Sequence, residues 1–425
     1  MTRATLAAWL SHGCRALVLA ALAVAPTQRG VTVGGAHLSL VDPLLALAAV
    51  GWAAKAVVLR EWDRVLRLPW HVWAFVLPAA VSVFAAGRIE PAVRDLAQIG
   101  LYFVLAYLVF DDLFHRHPRN LRPALYVLLA VLAANVLLAA GQYLTTDDPL
   151  RVRGAFDNRN VLGGWLALTL PAAFGVALHV ESGWVRAGLL ALTLLGLAVI
   201  LSAAAAAAVL VALLLIAAGR GWPAFAAVVL AAVLGLSVAA PRAGGFRDPA
   251  ADARLSHEAV LFRSVALYDD AGQPSRRYPE WQSAVEMMLT HPWLGEGVGN
   301  YQRCVGTYTG SKPRFTGPSE PDIQNLYLVI GSSMGVPALL GFLAMLFVPA
   351  AAAGGAGRRL DGWRRGLAWG VAGGIAAFAA TAVWHPLLVR GIGPHLVLLL
   401  VLGRLLGERG ARAGEHAAGA DGEDG

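Results

Sequence analysis

Four polar stretches interrupt an otherwise apolar chain, and they carry the side chains that could do chemistry. The first is Arg151-Val152-Arg153-Gly154-Ala155-Phe156-Asp157-Asn158-Arg159-Asn160, which sets three guanidinium groups just before an apolar run. A guanidinium offers a planar fork of donors that matches a phosphate group. Gly154, Asn158 and Asn160 suit tight turns that would hold Arg151 and Arg153 in place. The plainer alternative is headgroup anchoring, which Arg residues at span ends commonly provide. The second stretch is Arg276-Arg277, ahead of a short predicted helix. Pro279 fits its first position and Glu280 its positive start. Trp281, Val285, Met288 and Leu289 fall at i, i+4, i+7 and i+8, one apolar face for the membrane surface or for other helices. The Arg pair would stand beside backbone N–H groups that also favour anions, or would simply be a solvated pair.

The third stretch runs from His291-Pro292 to Tyr301. Gly295, Gly297 and Gly299 alternate there, which permits positive φ and close backbone approach. The spacing is not that of a dinucleotide fingerprint. His291 precedes proline and reads better as a helix-end cap than as a catalyst. The fourth stretch holds Glu320, Asp322, Gln324 and Asn325, where the next apolar run begins. His257-Glu258 and the scattered Asp residues make no metal-ligand spacing, so neither metal nor cofactor is expected.

The elements that must position these groups are membrane spans. Of 425 residues 57% are apolar and 14% charged, about half the charge of a soluble protein. The formal charge of +7 invites a nucleic-acid partner. The basic residues lie between apolar runs rather than on one soluble face with interleaved aromatics, which excludes that class. The apolar runs predict an all-α, polytopic fold of about twelve helices of roughly 20 residues each. They group as residues 1–240 with nine helices, a large outer loop at 241–325, residues 326–406 with three helices, and a disordered tail at 407–425. One span is expected to begin at Leu38. The run Ala187–Gly219 is too long for one ordinary span and is split near Ser202, a polar residue that can mark a turn. The small residues of Ala203–Ala208 would let neighbouring helices approach closely.

With both termini cytoplasmic, Lys55, Arg60, Arg116, Arg358 and their basic neighbours fall inside, and the short outer loops carry fewer cations. That bias satisfies the positive-inside rule and puts the large loop outside, in the periplasm of a Gram-negative cell. Asp42 and Asp95 are the main possible intramembrane charges, and an ionisable residue there would be the mark of a transporter.

The order of these motifs resembles the O-antigen ligase and polymerase superfamily. The resemblance rests on Arg153-Gly154-Ala155-Phe156-Asp157-Asn158-Arg159-Asn160, Arg276-Arg277 with Trp281, His291-Pro292 followed by Gly295 and Gly297, and Asn325 with Tyr327-Leu328 before a span. It covers about Arg151 to Gly335. It implies a GT-C-like, metal-independent glycosyltransferase of the bacterial inner membrane. The implied donor is an undecaprenyl-pyrophosphate-linked glycan, and the implied acceptor is a sugar hydroxyl of lipid A-core or of a polysaccharide. Cations near the departing pyrophosphate would stabilise the charge that grows there.

Two departures stand out. The family commonly carries His where Gln324 stands, and an amide cannot remove a hydroxyl proton near neutrality. The family also tends to Ser-Arg where this chain has Ser202-Ala203. Asp322, Glu320 and Glu296 are then candidate bases, with Gln324 and Asn325 positioning the acceptor. A diverged homologue without activity and a flippase of the same lipid are the other readings.

Overall fold

The computed structural model describes residues 2–33, 36–61, 68–146, 151–230, 277–308, 324–388 and 391–423. Nearly all of them are helical, because a helix satisfies its own backbone where no water can. In chain order the elements are α1 (Arg3–Val24), β1 (Gly30–Val33), β2 (Ala36–Ser39), α2 (Val41–Leu59), α3 (Trp70–Val81), α4 (Ile89–Ile99), α5 (Tyr107–Arg116), α6 (Leu121–Thr145) and α7 (Arg159–His179). There follow α8 (Gly183–Ala198), α9 (Ala203–Arg220), α10 (Arg277–Thr290), α11 (Tyr301–Tyr308), α12 (Leu326–Ala356), α13 (Gly362–Ala382) and α14 (Gly393–Glu423). Seven helical stretches among the described residues are long and apolar enough to cross a membrane, and two shorter apolar helices, Trp70–Ala85 and Gly183–Ala198, accompany them. The protein is a polytopic, nearly all-helical membrane protein.

Three expectations are corrected. The fold is not strictly all-α, since β1 and β2 form an antiparallel hairpin with Val31 opposite Leu38. Val31, Thr32 and Val33 are β-branched and favour an extended backbone. The span expected from Leu38 therefore starts only at Val41. The tail from 407 is not disordered at its start: α14 continues to Glu423. Its Ala, Arg and Glu residues are adequate helix formers, and Arg404 Nε meets Glu408 Oε1 at 3.0 Å, one turn on.

The chain divides into two compact units. The first comprises Met1–Leu128, Leu267–Val348 and His385–Val401. A π-helical turn, Gly100–Ala106, joins α4 and α5 into one long span. Phe75 of α3 meets Phe103 at 5.7 Å and Phe342 of α12 at 5.3 Å, ring centre to ring centre. The expected intramembrane charge Asp42 is partnered: it accepts from Tyr102 Oη at 2.8 Å and from the Ser39 amide at 2.9 Å. Lys55, Asp112, Arg116 and Glu61 form a continuous chain of ion pairs. Buried charge persists only when paired in this way.

The second unit comprises Leu129–Ala266, Pro349–Trp384 and Leu402–Gly425. Here α7 is the central helix, packed between α9 and α13. Gly175 and Gly366 bring the backbones of α7 and α13 into direct contact, and a Cβ on Gly370 would stand 2.5 Å from Ala172 Cα. On the α9 side a Cβ on Gly163 would meet Ala205 at 3.2 Å and Ser202 at 3.4 Å. Small residues give close crossings in membranes because nothing larger fits between the backbones. The long run breaks between Ala198 and Ala203, as expected from Ser202, which is extended and fully buried.

Candidate functional site

Within the second unit, the stretch Arg151–Asn160 is held from below by α6. Gln142 Oε1 accepts from the amides of Arg153 at 2.9 Å and Gly154 at 2.8 Å, and its Nε2 donates to the Gly154 carbonyl at 2.9 Å. Asn135 Oδ1 accepts from the Ala155 amide at 3.1 Å. Gly154 has φ +60°, a left-handed conformation that a side chain resists. Asn158 caps α7, its Oδ1 accepting from the Val161 amide at 2.9 Å. Phe156 tilts onto Trp165 with ring centres 5.5 Å apart. The loop is thus fixed at every turn, and the side chains it presents inherit that rigidity.

These side chains line a cavity of about 610 Å³, together with Gln142, Thr145 and Thr146 of the α6 end. Its wall carries Arg151, Arg153 and Arg159 against one carboxylate, Asp157, an excess of two positive charges. Arg153 Nη1 donates to the Asp157 carbonyl at 3.1 Å, which holds the guanidinium at the rim. Asn160 Oδ1 is a buried acceptor with no hydrogen-bond partner among the described residues. The volume lies within the range of small-molecule sites. The expected group Arg151, Arg153, Asn158 and Asn160 is brought together here, with Arg159. Gln142 and Asn135 went unrecognised in the sequence. Their only signal was to be amides inside an apolar run.

The remaining candidates lie in the first unit or outside the described residues. Arg276, Glu320 and Asp322 lie outside them. Arg277 is the first residue of α10. Trp281 packs with Ala284, Met287 and Tyr301. α10 buries Ala284 and Met287 fully, and Val285 and Leu289, of the face expected to meet the membrane surface or other helices, are exposed. The reason is α11 and the start of α12, which supply Tyr301, Leu328 and Val329 to that cluster.

Gly295, Gly297 and Gly299 have φ of +61°, +88° and +74°, the left-handed conformations that their alternation predicted. Protein backbone closes against each of them. A Cβ would lie 2.5 Å from the Ser332 carbonyl at Gly295, on the Ala86 backbone at Gly297, and 2.8 Å from the Pro91 carbonyl at Gly299. Glu296 N donates to the Ser332 carbonyl at 3.0 Å, and Val336 N donates back to the Pro292 carbonyl at 2.8 Å, beside the kink of α12 at Gly335. Asn300, 1% exposed, accepts from the Arg88 amide and donates to the Arg88 carbonyl, both at 3.1 Å. The space beside each of the three glycines is therefore taken up by protein backbone. Glu296 accepts from Tyr308 Oη at 2.5 Å and lies 3.4 Å from His291 Nε2. Burial, followed by that bond to Glu296, pushes the Tyr308 phenol up to about 12.

Asn325 caps α12, its Oδ1 accepting from the amides of Tyr327 at 3.0 Å and Leu328 at 3.1 Å. Gln324, immediately before the cap, meets a residue absent from the sequence argument. His385 Nδ1 lies 3.3 Å from Gln324 Oε1, and the ring is 1% exposed. Nothing in the spacing announced this pair. Among the described residues no three His, Cys, Asp or Glu side chains come together as a metal site.

Residues 158–343 match the family model described as O-antigen ligase. The match begins at the cap of α7 and ends within α12, and it bears out the resemblance drawn from the motifs. No curated protein matches the chain.

Proposed function

On the premise that residues 158–343 carry the O-antigen ligase family's features in a multi-pass membrane protein, we propose that this protein transfers a glycan from an undecaprenyl-pyrophosphate donor to a sugar hydroxyl. The acceptor would be lipid A-core or a growing polysaccharide, and the working face the periplasmic side of the inner membrane. One observation carries the proposal: Arg151, Arg153 and Arg159 line one cavity beside the N-terminus of a buried helix. Guanidinium forks and helix-end N–H groups both favour phosphate oxygens. As the bond from the sugar's anomeric carbon to the diphosphate breaks, negative charge grows on the leaving group. Fixed cations lower the energy of that state more than of the ground state. Asn160 Oδ1 would take a hydroxyl of the donor. The surplus of Lys and Arg in the opposite loops supports the outward orientation. No cofactor enters this scheme.

The test is the double variant Arg151→Ala/Arg153→Ala in liposomes supplied with a lipid-diphosphate glycan and a sugar acceptor. Transfer should fall by at least about 100-fold, with the thermal unfolding midpoint unchanged. Undiminished transfer would end the assignment.

A further inference from the structure

We propose that the end of the second unit remote from the arginine cradle binds the phosphate of an anionic membrane lipid, through Arg359, Arg364, Arg409 and Arg412. Nothing in this site depends on glycan transfer. α7 has 21 residues, about 30 Å of helix, which is the thickness of a hydrocarbon core. The cradle stands at its N-terminal end, so its C-terminal end marks the opposite boundary. Other helix ends gather there. Arg220 Nε, at the end of α9, donates to the Leu178 carbonyl at 3.3 Å. A Cβ on Gly366 of α13 would lie 3.0 Å from His179 Nδ1. The Trp369 ring lies against both Gly219 of α9 and Gly357, just past α12. Trp184 and Trp222 follow the ends of α7 and α9 and are 91% and 74% exposed, as rings at headgroup level are.

Two of the four arginines are on α14, which is locked to α12. Gly403, Gly407 and Gly410 face Pro349, Ala352 and Ala356, where an added Cβ would come within 2.7, 2.7 and 2.8 Å. The next glycine of the row, Gly414, would meet Arg359 Cδ at 3.5 Å and its Nη1 at 3.6 Å. The turn after α12 is clipped by Arg365, whose Nε donates to the Gly357 carbonyl at 3.0 Å. Arg364 Cζ stands 5.7 Å from the centre of the Trp363 ring. Backbone packing thus brings the guanidinium groups together against their mutual repulsion.

Residues 358–365 and 404–412 hold seven Arg against two carboxylates, Asp361 and Glu408. Glu408 meets Arg404 Nε at 3.0 Å, and Asp361 is exposed. Arg409 is half-buried, past the last buried leucine of α14, Leu406. Burial, then repulsion from Arg364 and from Arg412, holds the pKa of the Arg409 guanidinium below its ordinary value, and the attraction of Glu408 is the smallest of these effects. A guanidinium keeps its proton in a protein, so the repulsion persists until an anion comes between. Phosphate oxygens fit the planar donor forks. At a membrane boundary the phosphate within reach is that of a lipid, and basic clusters at helix ends take such headgroups.

The experiment titrates the full-length protein in neutral detergent with phosphatidylglycerol, with phosphatidylcholine of the same chains, and with glycerol phosphate. The thermal unfolding midpoint reports binding, since a ligand of the folded state raises it. Phosphatidylglycerol should raise it, and the other two should not. Arg364→Met/Arg409→Met keeps the apolar stems and should weaken the apparent phosphatidylglycerol affinity by at least about tenfold. Without lipid this variant should unfold no lower than wild type, because the repulsion is gone. Arg60→Gln/Arg119→Gln removes the same charge from exposed positions of the first unit. That control should stay within about threefold of wild type, exposed charges being screened. If the Met pair does not fold, the exposed Arg412→Gln serves in its place, with a loss of several-fold expected. Equal protection by phosphatidylcholine overturns the proposal. So does equal protection by glycerol phosphate at the lipid's own concentration, which marks a site for soluble anions. Wild-type phosphatidylglycerol affinity in the Met pair, or in Arg412→Gln where it stands in, overturns it too, as does an equal loss in the control.

Discussion

Two glycine-bearing loops use the same backbone freedom for opposite ends. In Arg151–Asn160 one left-handed glycine, Gly154, turns the chain so that α6 amides grip its backbone while its charged side chains face a cavity. In His291–Asn300 three left-handed glycines remove the side chains that would keep backbone from backbone, and the loop closes on α12, on the chain before α4 and on the first turn of α4. The first loop exposes chemistry, whereas the second conceals it. The presence of glycine alone does not separate a cradle from a clasp; what separates them is what stands beside it, the polar side chains of α6 at Gly154 and protein backbone at Gly295, Gly297 and Gly299.

Substitutions break or sharpen this contrast, beginning with the clasp. Gly297→Ala would place a Cβ on the Ala86 backbone at φ +88°, combining overpacking with left-handed strain. A cost of about 3 kcal/mol or more should remove most folded protein from the membrane, visible as lost monodisperse elution in detergent. The double arginine variant comes next, and it should lose transfer without losing fold. A milder effect should follow from Gln142→Leu, which strands two N–H groups and one carbonyl of the cradle. About 1–3 kcal/mol of stability and roughly tenfold of lipid-diphosphate binding are the expected losses, the latter by order-of-magnitude analogy with misplaced ligand-holding groups. Smallest is Asn158→Ala, where losing the α7 cap should cost about 1 kcal/mol and leave binding within a few-fold. Were Gln142→Leu to bind donor normally, the cradle's rigidity would have no part in recognition.

Much of the fold was legible because apolar runs and their breaks are local signals. Ser202 marked a real break, and the alternating glycines marked real left-handed turns. The cradle's charged members were legible too, since they are neighbours in sequence. What was not legible depends on contacts between distant residues. Gln142 and Asn135 read as ordinary amides in a span until the loop folds back on them. His385 follows Gln324 by 61 residues, and no periodicity links them. The buried positions of α10, Ala284 and Met287, were not singled out, because a helix with several apolar positions can bury more than one set, and only its neighbours α11 and α12 decide which. The hairpin escaped because its strands are four residues each, too short to outweigh the apolar run beside them.

The burial of α7 has a mechanical corollary. In its apolar window 94% of the residues are inside the protein, against 28% for α1. A bilayer of different thickness acts through the helices that touch lipid, by tilting them. Sheathed by its neighbours, α7 feels acyl-chain length only at second hand, so its arginine-bearing end keeps its elevation while the outer helices lean.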